Sequence, residues 1–176
     1  MKIFVVLPLI VSLGCIHVEL PKKNHQEINS YIEKVKDEFL ANYYQGNQLY
    51  ITYEEYNSSF ESYLFYVMHD FNGAHPITNL KTFNYYDNKY IDLNNYLTND
   101  DYLYFYNEAQ RVLIPELKKE EMFIEDMFYE GIKPIKENYQ NIIISEDYFV
   151  IFFEQYQIAP YASGIRSLKV KRWSFY

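Results

Sequence analysis

Residues 142–170 read IIISEDYFVIFFEQYQIAPYASGIRSLKV. Ile142 to Ile144 form a short β-branched run, Ser145-Glu146-Asp147 form a polar turn, and Tyr148 to Tyr156 are aromatic and apolar. A break at Pro160 precedes a last apolar segment, Ile165 to Val170. β-Branched and aromatic runs bounded by turn residues predict strands, so the last third of the chain reads as three strands in succession.

Helical signals lie immediately upstream. Thr98-Asn99 followed by Asp100 and Asp101 predicts a helix start. Tyr102, Phe105, Ala109, Val112 and Leu113 form its buried stripe, and Pro115 is expected to end it. A second helix is expected over Lys118 to Glu130, with Met122, Phe123, Met127 and Phe128 inward and Gly131 and Pro134 behind it. Further upstream, Gln48 to Glu55 and Ser62 to Phe71 predict a hairpin across Asn57-Ser58-Ser59. Leu80 to Tyr86, a turn at Asp87-Asn88-Lys89 and a strand Tyr90 to Leu93 follow. The first helix is expected from Gln26 to Tyr44: Ile28, Tyr31, Ile32, Val35 and Phe39 recur at helical period, Asn24 and Glu27 have capping-box spacing, and Gly46 stops it. Strands and helices come in blocks rather than in alternation. The expected fold is α+β, with a mainly antiparallel sheet, an N-terminal helix and a central helical pair.

Composition agrees with a packed domain: 49% of the 176 residues are hydrophobic and 23% charged, and the 21 tyrosines dominate an aromatic content of 20%. The formal charge of -8 argues against a phosphate-backbone binder, which excludes nucleic acid as a partner. The exception is a short basic tail, Arg166, Lys169, Lys171 and Arg172.

Met1-Lys2 followed by an apolar run from Ile3 to Leu13 has the form of a signal-peptide core, since a bilayer span needs roughly 20 residues. The run ends at Ser12-Leu13-Gly14-Cys15, with the only cysteine of the chain. A small residue before cysteine resembles the lipobox of bacterial lipoproteins, although Leu13 lies one place later than the usual pattern. The resemblance implies acylation of Cys15 as the new N-terminus and a membrane attachment through its lipid; the alternative is an ordinary secretory signal. The expected layout is a signal peptide over 1–14, a tether over 15–23 and one domain over 24–176, held without a disulfide.

Catalytic constellations are scarce. The chain has no Gly-rich phosphate loop, no nucleophile elbow and no histidine pair at metal-ligand spacing, so no catalytic residue, metal or cofactor is expected. His25 is expected to be solvated at a helix start. His69 and Asp70, adjacent on a strand, point to opposite faces. Two loops stand out for recognition: Asn72-Gly73-Ala74-His75-Pro76, which presents an imidazole beside a flexible Gly73, and the loop around Pro160, Tyr161 and Gly164, which fixes an aromatic ring behind a proline. Each follows an aromatic strand. If those strands pair directly or through one other, the loops meet at one end of the sheet, with Tyr161 as the anchor and Gly73 and Gly164 permitting turns that a β-carbon would hinder. Otherwise both loops are structural turns.

These stretches, with Phe83-Asn84-Tyr85-Tyr86-Asp87-Asn88-Lys89-Tyr90-Ile91-Asp92-Leu93 and above all Phe149 to Gly164, resemble one extracytoplasmic bacterial domain. It is shared by lysozyme-sensing anti-sigma factors of RsiV type and by the non-catalytic N-terminal part of PdaC-type peptidoglycan deacetylases. The resemblance covers roughly Asn24 to Val170 and implies an α+β domain that binds a partner at the cell envelope. The chain is too short on either side for a sigma-binding segment or a deacetylase domain, so the expectation is the sensor-like domain alone. Its expected partner is a lysozyme-type protein or a peptidoglycan fragment. The alternatives are a glycan-acting hydrolase using His75 with Asp70, Asp92 or Glu154, and a purely structural lipoprotein.

Overall fold

The computed structural model of the chain describes residues 9–12, 15–71, 73 and 75–172. Most of the expected signal peptide, 1–8 and 13–14, lies outside them, as do Asn72 and Ala74 of the histidine loop. The strands are β1 (Leu9–Ser12), β2 (Ile16–Leu20), β3 (Gln48–Asn57), β4 (Phe60–Asp70), β5 (Ile77–Tyr86), β6 (Lys89–Tyr90), β7 (Ile142–Ile144), β8 (Tyr148–Phe153) and β9 (Arg166–Lys171). The helices are α1 (Gln26–Ala41), α2 (Leu93–Tyr96), α3 (Asn99–Lys119) and α4 (Glu125–Gly131). The described strands form a six-stranded sheet of order β1-β2-β3-β4-β5-β6 and a three-stranded sheet of order β7-β8-β9. β2 and β3 run parallel; β1–β2, β5–β6, β7–β8 and β8–β9 run antiparallel. The fold is α+β and mostly antiparallel, with a helical pair in the middle, as expected.

The chain divides into two compact units, one made of residues up to Glu54 with Phe65–Asn79, the other of Glu55–Leu64 with residues from Leu80 on. In the first unit, α1 buries the expected Ile28, Ile32, Val35 and Phe39. The helix ends at Ala41, short of Tyr44, and it is capped one residue later than its sequence suggests. His25, not Asn24, is the N-cap and gives no side-chain cap; the Asn24 side-chain oxygen instead accepts a hydrogen bond from the Asn29 side chain. The chain reverses here between β2 and α1, and the residue at that corner is enclosed: His25 is only 7% exposed, where solvation was expected.

In the second unit, α3 starts where the acidic cluster predicts, and Thr98 and Asp101 close a reciprocal capping box there. Pro115 does not end that helix. Its ring removes one backbone donor, but Leu113 and Leu117 on either side are both buried in the core, and their packing carries the helix on to Lys119. The break comes later, where Glu121 adopts a left-handed φ of 59° and the Met122 amide bonds back to the Leu117 carbonyl at 2.8 Å. α4 is therefore shorter than expected, and the strand expected over Tyr90 to Leu93 gives way to α2, capped by the Asp92 carboxylate. The core of this unit, which includes Phe128, gathers Phe105, Tyr139, Phe149 and Phe153 in edge-to-face and tilted ring contacts.

Candidate functional site

The loop after β8 contains the most distinctive stretch of the sequence, and its polar side chains are turned inward. The Gln157 side chain donates to the carbonyls of Gly131 (3.1 Å) and Asn138 (2.9 Å) and accepts from the Glu154 amide (3.0 Å). Glu154 accepts from the Leu80 amide at 2.7 Å. Ile158 and Ala159 are buried, and a β-carbon on Gly131 would stand 1.9 Å from the Gln157 carbonyl oxygen. Glu154 to Ala159 thus plug the end of α4 to the core, which is a structural task.

Beyond the plug, Pro160 leads into a single helical turn, Tyr161–Ser163, and Gly164 takes the positive φ of 69° expected of it. Tyr161 is half-buried, with its ring 5.6 Å from that of Tyr156, which is exposed and holds a left-handed φ of 66°. Arg166 bonds to Ser163 and pairs with Glu120, lowering the Glu120 carboxyl below its usual range. Gly73 and His75 are exposed and belong to the first unit, whereas Pro160, Tyr161 and Gly164 belong to the second. The strand pairing that was to unite the two loops does not occur, because β4 lies in the six-stranded sheet and β8 in the three-stranded one. A β-carbon at Gly73 would meet nothing within 4 Å, so that position does not need glycine, contrary to expectation. Cys15 is half-buried and outside any disulfide, and its carbonyl accepts from the Leu49 amide at 2.9 Å.

A surface groove that the sequence does not announce lies in the second unit. Phe60, Tyr86, Lys89, Tyr90, Ile91 and Tyr96 line about 380 Å³, within the range of small-ligand sites. Phe60 forms its floor, 5.1 Å from the ring of Tyr86, while Tyr86, Tyr90 and Tyr96 are exposed by 55%, 39% and 37%. Arg172 is fixed beside it: the guanidinium lies 4.9 Å from the Phe60 ring centre and donates to the Tyr96 hydroxyl and to the Ser145 carbonyl, both at 2.8 Å. The geometry comes from the turn at Asp87 and Asn88, both with left-handed φ, which sets Tyr86 opposite Lys89 and Tyr85 opposite Tyr90. Tyr85 is buried, whereas Tyr86, the last residue of β5 before the turn, is exposed. A two-residue turn flanked by tyrosines was the available signal.

Two carboxylates expected as partners of His75 have other work. Asp92 accepts from the Asn94 amide (3.0 Å) and the Asn95 side chain (2.7 Å), and Glu154 is held in the plug. No group of three or more metal-ligating side chains occurs among the described residues.

A family model described as "Protein of unknown function (DUF3298)" matches residues 97–172. This segment is similar to the DUF3298 domain. The segment holds α3, α4, the whole three-stranded sheet, the Glu154–Ala159 plug and Arg172; the tyrosines of the groove lie just before it. Over 154 residues the chain is 29% identical to the peptidoglycan-N-acetylmuramic acid deacetylase PdaC of Bacillus subtilis (strain 168). That alignment takes in 84% of this chain and 32% of PdaC, so the chain spans about a third of that relative's length. A crystal structure of a DUF3298 family protein from Pseudomonas aeruginosa PAO1 shares the fold, with a TM-score of 0.57 at 15% identity, over 80% of this chain and 65% of that one. The resemblance read from the sequence is borne out by these matches.

Proposed function

We propose that this is a non-catalytic, exported and lipid-anchored envelope protein that binds cell-wall glycan through its tyrosine groove. The observation that carries this reading is the set of three exposed tyrosine rings around a fixed arginine. Flat amphipathic rings offer their faces to the C–H surfaces of sugar rings at small entropic cost, and the hydroxyls bond to the sugar rim. Arg172 and Lys89 add positive charge suited to the carboxylates of a peptidoglycan fragment. Similarity to a protein named for acting on peptidoglycan supports the substrate class. Acylation of Cys15 is the proposed attachment to the membrane; no helix among the described residues is long and apolar enough to cross one.

Co-sedimentation with purified sacculi tests the reading. The protein pellets with them, and Tyr86→Ala and Tyr90→Ala each weaken binding about tenfold or more, the loss expected of aromatic anchors. Unchanged pelleting of both variants refutes the groove. Capture of lysozyme without binding to sacculi would transfer the site to a basic muramidase, which the charge of -8 would attract. Cys15→Ser is expected to release the protein from the membrane fraction or to block its processing.

A further inference from the structure

β2 has a neighbour on each side. It runs parallel to β3, and its other edge is covered by β1 in antiparallel register, Leu9 opposite Leu20 and Ser12 opposite His17. The Leu49 amide bonds to the Cys15 carbonyl, so Cys15, His17 and Glu19 turn their backbone groups toward β3. Ile16, Val18 and Leu20 turn theirs toward β1. Cleavage before Cys15, as proposed above, removes β1 and opens this edge. Natural edges are blunted by lysine, proline or a bulge, yet Ile16-His17-Val18-Glu19-Leu20 contains no lysine or proline, and Pro21 only ends it.

We infer that in the processed protein the edge is taken by β2 of a second copy, antiparallel about a two-fold axis through Val18. β1 already shows the edge accepting an apolar antiparallel strand. In the two-fold register Ile16 faces Leu20, His17 faces Glu19 and Val18 faces its own counterpart. Every outward N–H and C=O of Ile16, Val18 and Leu20 then finds a partner. His17 and Glu19 fall in the non-hydrogen-bonded pairs, where side chains come closest, so a carboxylate meets an imidazole on both sides of the axis. Sliding the register by two residues either way sets His17 against His17 or Glu19 against Glu19. Only one register matches charge as well as backbone. The interface is self-complementary, as a closed dimer requires. It places the two Cys15 residues about 20 Å apart along the strand pair, so both lipids reach one membrane and confinement there raises the effective concentration.

The inference rests on processing at Cys15, and the test separates the two. His17→Cys and Glu19→Cys chains are expressed together in full length, membranes are treated with copper phenanthroline, and the N-terminus is read by mass spectrometry. The mixture is expected to give at least five times more disulfide dimer than either variant alone, because only the mixed pair stands at bridging distance. In the otherwise wild-type protein, Glu19→Lys lowers the dimer fraction severalfold and His17→Glu/Glu19→Lys restores it. Equal cross-linking in all samples, or none, from protein that begins at Cys15 overturns the dimer and leaves processing intact. Recovery of chains that begin at Met1 overturns processing and the dimer with it.

Discussion

Gly131→Ala sets two effects of opposite sign against each other. Gly131 is the last residue of α4, and by intrinsic preference alone alanine there would stabilise the helix by about 1 kcal/mol. The new β-carbon, however, would lie 1.9 Å from the Gln157 carbonyl oxygen, 2.7 Å from its carbon and 2.9 Å from an Ile158 methyl. An ordinary carbon–oxygen approach is about 3.3 Å, so a backbone carbonyl must retreat by more than ~1 Å. Gln157 has little freedom to do so, since its side chain is held by Gly131, Asn138 and Glu154. Overpacking of about 3 kcal/mol, with about 1 kcal/mol for a weakened hydrogen bond, outweighs the helical gain and leaves a net loss of about 3 kcal/mol. For a chain of this size that lowers the melting temperature by roughly 6–12 °C. Urea titration followed by circular dichroism measures the loss directly, with Gly73→Ala as a reference that should stay within about 0.5 kcal/mol of wild type. A Gly131→Ala protein as stable as wild type would show that the loop is not seated on α4.

Tyr139→Phe should cost about 1–2 kcal/mol in the same titration, because its buried hydroxyl donates to the Ile132 carbonyl at 2.6 Å and the substitution removes that bond. Its phenol is held well above the ordinary tyrosine value, chiefly by burial, so ultraviolet titration should find it among the last tyrosines to ionise. Burial also lowers the His69 imidazole below its ordinary value of 6.5, with Glu38 opposing the shift. The neutral form is the one favoured in the fold; its contribution is complete above 6.5 and is lost as the pH falls through the lower folded value. Melting temperature should therefore drop on acidification below about pH 6.5 more steeply for wild type than for His69→Phe, and parallel curves would refute the assignment.

Local chemistry was legible wherever a few neighbouring residues decide the outcome. The helix start at Thr98-Asn99, the turn at Asp87 and Asn88 and the strands on either side of Ser145-Glu146-Asp147 were read correctly because each depends on contacts within a few positions. Pro115 misled because packing of Leu113 and Leu117 against distant residues outweighs one missing hydrogen bond. His25 misled because its burial is a property of the corner and not of the helix it begins. The groove was invisible for a topological reason: it joins Phe60, Tyr86, Tyr90, Tyr96 and Arg172, which no spacing rule connects. The reverse held for the stretch after β8: the loop around Pro160, Tyr161 and Gly164 was read for recognition and Glu154 as a possible partner of His75, whereas Glu154 and Gln157 are internal braces.

Arg172 touches Phe60, Tyr96, Phe149 and Ser145, residues separated from it by up to 112 positions, and it is the last of the described residues. Any machine that delivers the chain from its N-terminus, whether ribosome or export channel, presents the tyrosines long before the cation that braces them. The first hairpins can assemble early, from local contacts alone. The aromatic wall stays unclasped until the final strand emerges, so a chain caught in transit carries the rings of the groove without its keystone.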